Sequence, residues 1–173
     1  MIHEAKKGQD ISVMVWAAFW EAGQSELYRL KQDFEAKKQG YSANSYIQVL
    51  ENNLLGIWEP GLIFMQDNAP IHSAHRVRDW FTEMSIEVMD WPPYSPDLNS
   101  IKHLWFRLKE LVYKIRPDIE TVSGGEDTIR AVLLKALQEA WPRITREYMN
   151  TLIRSMNSRV NAVIEAEGWY TRF

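Results

Sequence analysis

The sequence predicts an α/β fold with a mixed sheet, and three observations carry that expectation. Short apolar runs rich in β-branched and aromatic residues recur at 11–20 (ISVMVWAAFW), 62–66 (LIFMQ) and 86–91 (IEVMDW), as buried strands do. The stretches between and after them space their apolar residues at helical intervals. A hairpin at the front precedes this alternation, which favours a sheet of mixed rather than uniform direction.

Each element follows from its residues. The strand over 11–20 turns at EAGQS and returns through ELYRL (26–30). From Ser42 the spacing becomes helical: Tyr46, Ile47, Val49, Leu50, Leu54 and Leu55 share a face, with Ser42 or Asn44 as cap. WEPG ends that helix, and LIFMQ forms a second strand. A helix over about 71–84 sets Val77, Trp80, Phe81 and Met84 on one side. After IEVMDW, a proline-rich loop leads into a helix over 100–115, with Asn99 as its expected cap and Pro117 as its stop. Two helices close the chain, at 127–140 and roughly 145–166. The order reads β-β-α-β-α-β-α-α-α.

Bulk properties narrow the class. The 173 residues suit one domain able to bury about two-thirds of its unfolded surface. There is no cysteine, which excludes disulfides, thiolate metal sites and a cysteine nucleophile, and favours the nucleus or cytoplasm over secretion. No apolar run reaches the ~18 residues of a membrane span, and MIHEAKKGQD lacks a signal peptide's apolar stretch. The net charge of −3 argues against attraction to nucleic acid over the whole surface. Distribution matters more: residues 102–116 carry Lys102, Arg107, Lys109, Lys114 and Arg116 against Glu110 alone. A solvated face is the plainer account of that cluster.

Chemistry is expected at strand ends, where side chains project into a crevice. LIFMQ ends in Asp67, which could hold a hard divalent cation or merely stabilise the turn into the next helix. The first turn of the 100–115 helix contains Lys102, a cation where both the helix dipole and a metal site favour a carboxylate.

Here the sequence resembles a family. QDNAPIHSA, WPPYSPDLNSIKHLW, VMVWAAF and the tail LIRSMNSRVNAVIEAEGWYTRF are similar to signatures of the mariner superfamily of cut-and-paste DNA transposases, in its Tc-type branch. The likeness runs from about residue 6 to the C-terminus. It implies a ribonuclease-H-like fold whose Asp-Asp-Glu triad holds two Mg²⁺ or Mn²⁺ ions. Those ions activate water, then a DNA 3′-hydroxyl, for in-line attack on phosphodiesters. The second Asp maps onto Asp67. The family's Glu follows after 34 residues; residues 68–101 fill that interval, so the Glu position holds Lys102. Ser100 stands where the family places a proline, a favoured first helical residue.

The resemblance also implies a strand bearing the first Asp before ISVMVW, preceded by a helix-turn-helix region that binds transposon ends. The expectation is that no such strand fits into MIHEAKKGQD and that Asp10 lies in a loop. By this mapping Asp67 alone of the triad survives. An ammonium ~4 Å from a divalent cation opposes it by about twice the ~4 kcal/mol of two unit charges at an effective dielectric near ~20, an upper-end figure for a flexible lysine. The expected chain is therefore a catalytically dead DNA-cleaving domain, Mg²⁺ or Mn²⁺ being bound weakly or not at all. The alternative is a non-catalytic nucleic-acid-binding module in which Lys102, Arg107 and Lys109 grip phosphates.

Other residues receive lesser roles. His72 and His75 could begin a zinc site, but no third ligand is near in sequence, so a DNA- or solvent-facing role is expected. His72, His103, Arg107 and Lys109 are the candidate DNA contacts. Trp80, Trp91 and Trp105 are expected to pack in the core, and Asp97 to stabilise its turn. Without a first strand, ISVMVWAAFW would offer a bare apolar edge and promote a homodimer.

Overall fold

The computed structural model describes all residues except 1, 7, 8, 37–39, 94 and 170, with the backbone alone for the rest of the first ten. The described strands are β1 (Ile2–Lys6), β2 (Gln9–Val13), β3 (Val15–Trp16), β4 (Phe19–Trp20), β5 (Gly23–Gln24) and β6 (Tyr28–Arg29). The helices are α1 (Ala43–Asn53), α2 (His75–Glu83), α3 (Ile101–Ile115), α4 (Glu126–Ala140), α5 (Arg146–Arg154) and α6 (Met156–Glu165). Two compact units result: Met1–Arg29 with Ser100–Asn157, and Leu30–Asn99 with Ser158–Phe173.

The first unit is a helical core faced by short antiparallel pairs. β1 pairs with β2, β3 with β6, and β4 with β5. Leu104, Leu108 and Val112 recur every four residues and make the buried stripe of α3. They share a core with Leu133, Ala136, Leu137 and Ala140 of α4, and with Val13, Ala17 and Leu27 of the hairpin region. Trp141 anchors this core. Its indole N–H donates to the Ser25 carbonyl at 2.7 Å, and its ring stacks on Trp105 with centroids 5.6 Å apart. Trp105 is thus a packing residue, as its sequence context indicates.

The second unit is assembled around aromatic side chains. Tyr46, Val49 and Leu50 of α1 and Val77, Trp80 and Phe81 of α2 are buried. Phe64 lies against Phe81, with ring centroids 5.1 Å apart. Trp80 and Trp91 are buried too, in keeping with core packing.

Several expectations change. A strand does form within the first ten residues: Ile2–Lys6 pairs in antiparallel register with Gln9–Val13, placing Ala5 opposite Asp10. Asp10 therefore lies in a strand rather than a loop, and β1 itself contains Glu4 but no Asp. β1 thus occupies one edge of Ile11–Val13, the edge that a missing first strand was expected to leave bare. The single strand expected over 11–20 is three short ones, each with its own partner. LIFMQ and IEVMDW meet only in one parallel bridge, Phe64 with Val88, held by Phe64 N–H to the Glu87 carbonyl and Met89 N–H to the Phe64 carbonyl, both 2.8 Å. The last helix breaks into α5 and α6 at Ser155, whose hydroxyl donates to the Leu152 carbonyl at 2.6 Å.

Candidate functional site

Asp67 follows directly on the segment that bridges to Val88, before the turn into α2. Its carboxylate closes that turn in the manner of an Asx motif: Oδ1 accepts the Ala69 N–H at 3.1 Å. The same oxygen takes a second bond, 2.9 Å, from Nδ1 of His72. A carboxylate can only accept, so Nδ1 of His72 carries the proton. Oδ2 accepts from the side-chain amide of Asn99 at 3.3 Å. Three N–H donors therefore converge on one acid whose side chain is 38 % exposed.

A further set of groups fixes His72. The Tyr46 ring lies 4.5 Å from the imidazole. The Tyr46 hydroxyl donates to Oε1 of Gln66 at 2.7 Å, and the Gln66 amide donates back to the His72 carbonyl at 3.4 Å. Asn68 donates to the Trp91 carbonyl at 2.9 Å, tying this turn to the loop that follows the bridged 86–91 segment. Tyr46, Gln66, His72, Asp67 and Asn99 form one hydrogen-bonded and stacked set.

The candidates from the sequence separate accordingly. Asp67 and His72 are brought together. His75 is exposed and pairs with Asp79, one turn along α2, at 2.7 Å, a contact on the helix surface. Asp97, expected to stabilise its own turn, has a side-chain partner in the tail instead: its Oδ2 accepts from the N–H and the hydroxyl of Thr171. Lys102, His103, Arg107 and Lys109 lie on α3 in the first unit. Lys102 is exposed, His103 and Lys109 are half-buried, and Arg107 is engaged by Glu110 at 2.8 Å.

Asn99 does not cap α3 as expected. The cap position falls on Ser100, which has helical dihedrals and makes no side-chain capping bond. The Asn99 amide is committed to Asp67 instead, and Lys102 becomes the second helical residue rather than the third. Nothing local in SPDLNS distinguishes an Asn that caps from one that reaches 32 residues back.

The donor set bears on metal binding. Among the described residues, no group of three or more His, Asp or Glu side chains could hold a cation. At Asp67 the N–H donors of Ala69, His72 and Asn99 bond the carboxylate, the kind of partner that stabilises an anion.

Comparison with known proteins accords with the motifs. A family profile described as DDE superfamily endonuclease matches residues 4–123. The transposase of the transposable element Tc1 of Caenorhabditis elegans is 32% identical over 162 residues, covering 94% of this chain and 55% of the relative. That of Tc3, from the same organism, is 34% identical over 161 residues, covering 91% of this chain and 44% of the relative. The chain thus spans about half the length of the curated relatives it matches. Among solved structures, a Mos1 transposase catalytic domain with Raltegravir and Mg superposes with a TM-score of 0.67 at 20% identity. It covers 92% of this chain and 77% of the Mos1 chain. A related structure with Mn gives 0.57 at 19%. These likenesses establish the ribonuclease-H-like fold. The chain belongs to the DDE superfamily endonucleases.

Proposed function

We propose that this chain is a cut-and-paste DNA transposase domain whose strand-cleaving chemistry is lost at position 102. One observation carries the proposal: counting the family's 34-residue interval onward from Asp67 lands on Lys102, where a metal-binding Glu is called for. An ammonium there repels the divalent cations that DDE chemistry uses. The environment of Asp67 supports the same reading, because its carboxylate is engaged by Ala69, His72 and Asn99. DNA is the partner that family membership suggests, and the nucleus or cytoplasm the compartment. No described helix is long and apolar enough to cross a membrane.

The test is a supercoiled plasmid incubated with the full chain and Mg²⁺ or Mn²⁺. The plasmid is expected to stay intact. Nicking that disappears in an Asp67→Ala variant would overturn the loss of cleavage.

A second reading, retained DNA binding without cleavage, is favoured by one feature of α3. Lys102, Phe106, Lys109 and Tyr113 are spaced four, three and four residues apart, so they share one helical face. Phe106 is 66% exposed and Tyr113 41%. Cations alternating with aromatic rings suit phosphates and stacked bases respectively. On this reading the charge swap at 102 exchanges metal-mediated neutralisation of a DNA backbone for a direct one.

A further inference from the structure

Arg159 buries a guanidinium next to the turn that carries Asn99 toward Asp67. It is 2% exposed and is the only charged residue among the described buried ones. Its Nη1 donates to the Asp97 carbonyl at 2.7 Å, and its guanidinium lies 4.7 Å from the centroid of the Phe173 ring. The side chain of Asp97 is gripped as well. Its Oδ2 accepts from the Thr171 N–H at 2.9 Å and from the Thr171 hydroxyl at 2.7 Å. That hydroxyl in turn accepts the Phe173 N–H at 3.2 Å. Helix α6 and the residues after it thereby hold both the backbone and the side chain of one turn residue.

Asp97 belongs to the 3₁₀ turn Pro96–Leu98, and Asn99 follows it immediately. The turn's own bonds are modest: Leu98 N–H to the Ser95 carbonyl at 3.3 Å and Asn99 N–H to the Pro96 carbonyl at 3.1 Å. 3₁₀ turns have poorer hydrogen-bond geometry than α-helical ones. Asn99, directly after that turn, is the residue whose amide reaches Asp67.

We propose that Arg159 and Thr171 are positioning residues for Asp67. They clamp Asp97, which fixes the turn, which aims the Asn99 amide at the Asp67 carboxylate. The idea rests on Asp67 being the functional acid of the fold, but its test does not depend on cleavage. Planar Arg suits the place because it can bond a carbonyl and face a ring at once.

The experiment is NMR on the full chain, following the Asn99 side-chain amide pair, the Asp67 carboxyl carbon and backbone amide exchange. In Thr171→Val the Asn99 pair and the Asp67 carboxyl signal are expected to shift. Exchange protection at Leu98 and Asn99 should fall about tenfold, a local opening rather than global unfolding. The Asn68 pair, bonded to Trp91, should stay in place. Thr171→Ser, which keeps the hydroxyl, should behave as the parent does, and Arg159→Met should reproduce the loss. Should Arg159→Met fail to fold, Thr171→Val decides alone. A folded Thr171→Val with parental Asn99 and Asp67 signals overturns the proposal, as does an equal shift in Thr171→Ser. Plasmid nicking would sink the functional reading and leave this one standing.

Discussion

The starts of α1 and α3 are built on opposite principles. At α1 the Ser42 hydroxyl accepts the N–H groups of Asn44 and Ser45, and the Ser45 hydroxyl accepts the Ser42 N–H, a complete capping box. The Ser42 hydroxyl donates its own proton to Asp33 at 2.6 Å. At α3, Ser100 makes no capping bond, no acid lies in the first turn, and Lys102 sits at the positive end of the dipole. Side-chain capping secures the first start and is missing at the second. Capping and the dipole thus do not account for a lysine at position 102, which is exposed.

Substitutions at the two helix starts probe this contrast. Ser42→Ala removes the cap and strands two N–H groups, so it should cost about 1–2 kcal/mol in urea or thermal unfolding. A loss no larger than that of a surface Ser→Ala would deny the cap its role. Lys102→Glu should move the other way, stabilising α3 by about 0.3–1 kcal/mol through the dipole. If the exposed stripe binds DNA, the same substitution should weaken binding and flatten the slope of log K against log salt by about 0.9 for each phosphate it ceases to neutralise. Unchanged affinity and slope would remove the binding reading. The smallest effect concerns pH. The bond from Ser42 holds the Asp33 carboxyl below its ordinary value, with the Glu35 and Ala36 amides contributing. A carboxylate whose folded pKa is depressed contributes stability above its unfolded pKa and loses it as pH falls through the folded one. Acid titration should therefore loosen the α1 start in the parent and not in Asp33→Asn, as read by exchange at Asn44 and Ser45.

Much of this was legible from local patterns. Ser42 as cap, the stop at Pro117 and most of the apolar faces of α1 and α2 follow from neighbours within a turn or two, though Leu55 and Met84, expected on those faces, are exposed. What the sequence hid depends on distant partners. The run ISVMVWAAFW reads as one strand because propensity cannot register that β2, β3 and β4 each pair elsewhere. Asp67 could be singled out from its place after LIFMQ, and His72 from its motif. Asn99 could not, since SPDLNS suits a cap equally well. Arg159 was invisible for the same reason: its partner Asp97 lies 62 residues away, and an Arg in a polar helix reads as solvated.

The isolated rung between Phe64 and Val88 has an evolutionary corollary. With so little ladder beneath it, Asp67 owes its position to Gln66, Asn68, His72 and Asn99 rather than to a wide sheet. Substitution at His72 or Asn99 removes a direct bond to the acid. A lineage released from the need to cut DNA could thus lose its chemistry by drift while every copy still folded.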